Sequence, residues 1–177
     1  ITLSTAGKSL DIEATAGAVV MQLSGTNEAV IQTNAGNVRV SAATAAKNVT
    51  VGQIDTRSDA NRTTPTLAGQ AAWGAVSVIA GGSVLDADSN GATDIYASNL
   101  RMNAGAGVGV LGTTPNALEV EVQTLSAVAA AGAVGVTDAS DLTVGTTTAI
   151  SLSRVKADGT MDTTVLTDAA QSGVSAA

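Results

Sequence analysis

The sequence predicts an all-β chain wound as a solenoid, and three observations carry that expectation: its composition, its two-residue alternation and its even spacing. The chain has 177 residues, about the size of one domain and long enough to bury a core. Ala, Thr, Val, Gly and Ser account for 113 of them. Mean hydropathy is +0.29 and Pro occurs twice. A disordered chain is poor in β-branched residues and low in hydropathy, so this one is ordered, and its Val, Ile and Thr favour strand over helix.

Alternation appears in short bursts along the whole chain. Leu10-Asp-Ile12-Glu, Val38-Arg-Val40-Ser, Val49-Thr-Val51-Gly and Val76-Ser-Val78 come first. Leu100-Arg-Met102, Val108-Gly-Val110, Leu118-Glu-Val120-Glu-Val122, Val134-Gly-Val136, Leu142-Thr-Val144 and Ile150-Ser-Leu152 follow. One side of each burst is aliphatic and the other is Gly, Ser, Thr or charged, which suits strands of three to five residues with one buried face. From Leu100 the bursts begin near 100, 108, 118, 125, 134, 142 and 150. Small turn residues separate them. The text recurs loosely: VRVSAATAAKNVTVG (38–52) lines up with VGVTDASDLTVG (134–145) with a three-residue gap.

Degenerate repeats at this spacing point to a solenoid. An antiparallel β-sandwich is the alternative, since its strands also recur every 8–12 residues. Sandwich cores carry aromatic residues, and this chain has one Trp, one Tyr and no Phe. Two or three strands per coil give coils of roughly 20–27 residues, hence roughly seven or eight coils and a rod of about 35–40 Å. The chain is read as one segment, 1–177, with an irregular loop excursion at about 53–72 and a less regular tail at about 158–177. Trp73, at the end of that loop, is either a ligand contact or the plug that packs the loop on the rod. The opening Ile1-Thr2-Leu3 is already strand-like, and we read the chain as a mature product or a piece of something longer.

The stretch LRMNAGAGVGVLGTTPNALEVEVQTLSAVAAAGAVGVTDASDLTVG (100–145) resembles the repeats of filamentous-haemagglutinin-like exoproteins and related giant β-strand-repeat bacterial surface adhesins. The cadence of strand, Ala-Gly, strand, Gly-Thr, Asn-Ala-Leu-Glu-Val and strand carries the resemblance. It covers 75–152 well and 1–52 loosely. It implies a right-handed parallel β-helix, secretion to the cell surface, and a role as stalk, fibre or adhesin. It transfers no functional residue. The expected partners are copies of the chain stacked end to end or its continuation in a longer chain, with a host or matrix surface beyond.

The composition removes several chemistries. Cys and His are absent, which excludes thiolate and imidazole metal sites, disulfides and a Ser-His-Asp triad. Net charge −7 and two aromatic residues argue against nucleic acid. The longest near-apolar run, AVAAAGAVGV (127–136), is far short of the roughly 20 residues of a membrane helix. We read the chain as no enzyme, without membrane insertion. Calcium is the one cofactor the sequence suggests. Asp86-Ala-Asp88-Ser-Asn90-Gly91-Ala-Thr-Asp94 matches the first nine positions of an EF-hand-type loop, with oxygen ligands at Asp86, Asp88, Asn90 and Asp94. The match fails at position 12, where Ala97 replaces the bidentate Glu, and the plainer reading is an acidic turn between strands. The carboxylate pairs Asp11/Glu13 and Glu119/Glu121 stand about 6.5–7 Å apart on a strand, a separation also used by inverting glycosidases. A polysaccharide-binding or polysaccharide-cleaving β-helix is therefore the alternative function, beside a calcium-stabilised surface module; with no basic residue adjoining either pair in sequence, solvated outward charge is the plainer reading. Gly107, Gly109 and Gly112 match a dinucleotide fingerprint formally, but no helix is expected after them, and tight corners explain them better.

Overall fold

The structure is a computed structural model, and it describes residues 1–25, 27–63, 69–111, 116–155 and 160–177. It is all-β. Its strands build three parallel ladders, and the chain visits the ladders in the same order on every pass. The first pass runs β1 (Thr2–Leu3), β2 (Leu10–Glu13) and β3 (Val19–Val20), one strand in each ladder. The second runs β4 (Val30–Thr33), β5 (Val38–Ala42) and β6 (Val49–Val51), and the third β7 (Gln53–Asp55), β8 (Val76–Ala80) and β9 (Val84–Asp86). Then two long strands each serve two ladders in succession: β10 (Ile95–Ala104) and β11 (Leu118–Ala129). β12 (Val136–Asp138) and β13 (Thr143–Val144) add a sixth rung.

The registers show why the bursts recur. In the first ladder Ile31 pairs with Ile54, Ile54 with Ile95 and Ile95 with Val120. In the second, Leu10, Val38, Val76, Leu100 and Leu125 stand in one row, and Ile12, Val40, Val78, Met102 and Ala127 in the next. In the third, Val19, Val49 and Val84 align, and single bridges extend the row to Val108 and Val134. Val38, Val76, Leu100, Val49, Val84 and Ile95 are fully buried. Each such side chain contributes about 1.5–3 kcal/mol when withdrawn from water. Equivalent positions stack on one another, so aliphatic residues of similar size suffice and aromatic residues are not needed. The bursts from Leu100 onward are thus one ladder after another: second at 100, third at 108, first at 118, second at 125, third at 134. These ladders are parallel, unlike those of the antiparallel sandwich.

Close corners connect the ladders. After the row Ala42, Ala80, Ala104, Ala129 the chain turns at Gly81 and Gly105. A Cβ on Gly105 would lie 2.2 Å from the carbonyl oxygen of Gly81, so the stacked corners leave room only for glycine.

Two inserts leave the ladders. Between β7 and β8 the described part of the loop holds α1 (Asp59–Thr63) and a 3-10 turn, Gln70–Ala72; 64–68 of the expected loop excursion lie outside the described residues. The second insert interrupts the sixth rung of the second ladder. β13 ends at Val144, and the rung resumes at β18 (Val174–Ala176) on the same edge of β11. Between them β14 (Thr146–Thr147) pairs antiparallel with β17 (Gln171–Ser172), and β15 (Ile150–Val155) with β16 (Met161–Asp168). Ile150-Ser-Leu152, which reads as one more rung, is therefore one arm of a hairpin. Among the described residues six rungs stand where seven or eight were expected, because the inserts take up chain that the even cadence assigned to coils.

The hairpin lies along the outer face of the second ladder. Arg39 is 8 % exposed in its side chain and bridges Asp11 at 3.0 Å and Asp168 at 3.2 Å. Nε of Arg101 donates to the Ala169 carbonyl at 3.0 Å, Asn37 Nδ2 to that of Ser151 at 3.1 Å, and Gln171 Nε2 to that of Met102 at 2.8 Å. Ile150 and Leu152 are buried beneath it. The loop after β7 covers the first ladder in the same manner. Asp55, 1 % exposed, accepts from Arg57 and Arg62, and the Arg57 guanidinium stands 3.7 Å from the centre of the Tyr96 ring. Trp73 is buried and meets Tyr96 edge-on, 6.4 Å between centroids, so it packs the loop onto the ladder.

Candidate functional site

The feature that departs most from this regular pattern is the corner between β9 and β10. β9 alternates inward and outward, with Val84 and Asp86 buried and Leu85 between them. Asp86 pairs in register with Val51, a fully buried core residue. A carboxylate thus stands where the rung below carries an aliphatic side chain. Asp86 is 9 % exposed. Its Oδ1 accepts from the backbone of Asp88 at 2.9 Å, while its Oδ2 is buried and finds no hydrogen-bond partner among the described residues. Asn116 stands close enough to lower the Asp86 carboxyl, and its Nδ2 donates to the Asp88 carbonyl at 2.7 Å.

The turn that follows is a chain of Asx turns. Asp86 accepts from Asp88 N, Asp88 Oδ1 from Asn90 N at 2.8 Å, and Asn90 Oδ1 from Ala92 N at 2.6 Å. Each side chain captures the amide two residues ahead, which is the local preference of Asp and Asn that makes them turn residues. Asn90 also donates through Nδ2 to Asp88 Oδ2. The turn returns the chain to Asp94, one residue before the inward Ile95 of β10. Asp94 is 1 % exposed. Its amide donates to the Glu119 carbonyl at 2.8 Å, and the Glu119 amide returns a bond to Asp94 Oδ2 at 2.9 Å. The parallel register of β10 and β11 thereby sets Glu119 directly beside Asp94, one rung on.

One carboxylate oxygen each from Asp86, Asp94 and Glu119 lies within 4.8 Å of the other two. Glu28, from the turn before β4, approaches Asp88 from the opposite side, and Asn90 Nδ2 reaches its Oε1 at 3.5 Å. Leu23, Gly25, Asp88, Ser89 and Asn90 line a cleft beside it.

The electrostatics follow from burial and like charge. Burial pushes the Asp94 carboxyl up to about 8, with Asp86, Glu119 and Glu28 adding repulsion. Burial also raises Asp86 and Glu119. Glu28 is raised to about 7, first by its hydrogen bond with Asp88 and then by burial. Among the described residues the salt bridges of Arg39, Arg57 and Arg62 all lie elsewhere, and none reaches this corner. A largely buried group of carboxylates without a countercharge either holds protons or holds a cation.

Of the four ligands expected from the loop pattern, the structure brings Asp86 and Asp94 together. Asp88 sits beside them against Glu28, and Asn90 is exposed and occupied by the turn. Ala97, the failed twelfth position, is a buried residue of the first ladder. Its place is taken by Glu119, which the loop pattern could not contain because it comes from the next pass. The carboxylate pairs separate. Glu119 joins the corner, whereas Glu121, 4 % exposed, accepts from Ser140 Oγ at 2.6 Å and from Gln70 Nε2. Asp11 and Glu13 gain a basic neighbour that the sequence did not show, Arg39, paired across the ladder to Asp11. Gly107 and Gly109 flank the buried Val108 of the third ladder, and Gly112 lies outside the described residues.

Compared with known protein families, curated proteins and solved structures, the chain matches none. Among the described residues no helix is long and apolar enough to cross a membrane.

Proposed function

We propose that this chain is a structural segment of an extracellular, fibre-forming or surface protein of the filamentous-haemagglutinin-like kind, in which a closed right-handed parallel β-helix acts as a stiff rod. One observation carries the reading. Equivalent side chains stack in register through successive passes, from Leu10 to Leu125 in the second ladder, so that every rung uses its neighbours for both hydrogen bonds and core. Such a stack resists bending because no rung moves without breaking two ladders of backbone bonds. Each added rung lengthens the rod by about 4.8 Å.

The edges support the same reading. Among the described residues β1, β2 and β3 pair on one side only, as do β12, β13 and β18. An unpaired parallel edge is a template for further strands, supplied by continuation of the chain or by a second copy stacked end to end. Among the described residues the hairpin covers the second ladder, and α1 with its loop the first. We read the chain as non-enzymatic, with adhesion to a host or matrix surface as its role outside the cell. Immunogold electron microscopy of intact producing cells, with an antibody to this chain, tests it. Label along stalks or filaments outside the cell is the expected result. Label confined to the cell interior would overturn it.

A further inference from the structure

We infer that Asp86, Asp94 and Glu119 form a binding site for a calcium-sized divalent cation that ties three successive rungs together. Two independent observations carry this. The first is the convergence of three carboxylate oxygens within 4.8 Å of one another from elements separated in sequence. The second is Asp86 itself, a side chain on a core-facing position whose Oδ2 is buried and unpartnered among the described residues. A buried carboxylate oxygen with no direct donor within hydrogen-bond distance is a costly feature, in contrast with buried Arg39, which pairs with Asp11 and Asp168.

The chemistry selects the ion. All the ligands are carboxylates, and the chain has neither His nor Cys, so the site suits a hard cation rather than zinc or copper. Calcium takes oxygen ligands at about 2.3–2.6 Å, so opposite ligands on it stand about 4.6–5.2 Å apart, whereas magnesium at about 2.0–2.1 Å draws them closer and keeps more of its water. Three protein carboxylates favour calcium, because magnesium holds several waters and takes one or two carboxylates. Asp88 and Glu28 stand in an outer position that adds negative potential without entering the group of three. The ion would neutralise the corner and link β9 and the start of β10 to β11.

The experiment uses the whole chain, stripped with chelator and studied at pH 7.5 by calorimetric titration with calcium chloride and by thermal melting. The expected result is saturable binding and a melting temperature raised by about 5–10 °C at a hundredfold excess over Kd. Asp86→Asn and Glu119→Gln lose the binding and the shift. Asp94→Asn guards against a folding defect, because its side-chain oxygen still accepts the Glu119 amide bond. It melts at least as high as the parent without calcium and gains nothing from it. The assignment is overturned if the parent binds no calcium, if Asp86→Asn and Glu119→Gln bind it undiminished, or if magnesium at equal concentration has the same effect.

Discussion

The second ladder and the corner at Asp86 show two ways in which one chain handles charge. On the outer face of the ladder, Asp11, Arg39, Ser77, Arg101 and Ser126 stand in register, and the hairpin supplies Asp168, the Ala169 carbonyl and Gln171 to meet them. Burial there is offset by pairing. At the corner, register sets Glu119 beside Asp94 and the turn after β9 brings Asp86 to them from the third ladder, yet no salt bridge reaches them among the described residues, and burial raises all three. The lesson is that repetition alone does not decide what a stack does. A parallel ladder places like next to like, which is harmless for valine and costly for carboxylates. The position where that cost is kept is the one we propose to be met by a cation.

The sharpest way to break the comparison is to damage the ladder. Leu100, fully buried between Val76 and Leu125, leaves a cavity in three rungs at once when replaced by alanine. Leu100→Ala is expected to cost about 2–5 kcal/mol in urea denaturation. Arg39→Ala comes next, at about 3 kcal/mol, because it removes the buried guanidinium that Asp168 faces beneath the hairpin. It should also speed proteolytic cleavage within 146–172, and unchanged cleavage would show that the hairpin is held by other contacts. Gly105→Val is smaller, about 1–3 kcal/mol, as the added side chain presses on the Gly81 carbonyl.

A pH series sharpens the other side of the comparison. Asp94 rises from an ordinary 3.8 to about 8 in the folded chain. Between those values the folded state holds a proton that the unfolded state has released. Stability of the calcium-free protein therefore falls as pH rises from about 4 to 8 and levels off above. Denaturation midpoints at pH 5 and pH 8 in chelator should differ in that direction, and Asp94→Asn should reduce the difference. A midpoint that rises with pH would contradict the burial of Asp94.

Much of the ladder was legible in the residues, because alternation and spacing are direct consequences of the pleat and of the length of one pass. Leu118-Glu-Val120-Glu-Val122 puts its valines inward as it reads, but Glu121 is buried under Ser140 and Gln70 instead of being solvated. Direction was not legible in the same signal. Ile150-Ser-Leu152 alternates like any rung, yet it pairs antiparallel with β16, since a hairpin arm and a parallel rung share a period of two. The site was half legible. Asp86 and Asp94 belong to a local pattern, and local turns are encoded locally. Glu119 becomes their neighbour only through the register of β10 on β11, a property of the stack that no window around residue 90 contains.

A crystal structure grown in calcium tests the account most directly, since it reads the stack and the corner together. The account predicts parallel ladders closed into a right-handed helix, with one ion held by Asp86, Asp94 and Glu119 at about 2.3–2.6 Å. Antiparallel ladders, or three carboxylates turned apart with no ion between them, would contradict it.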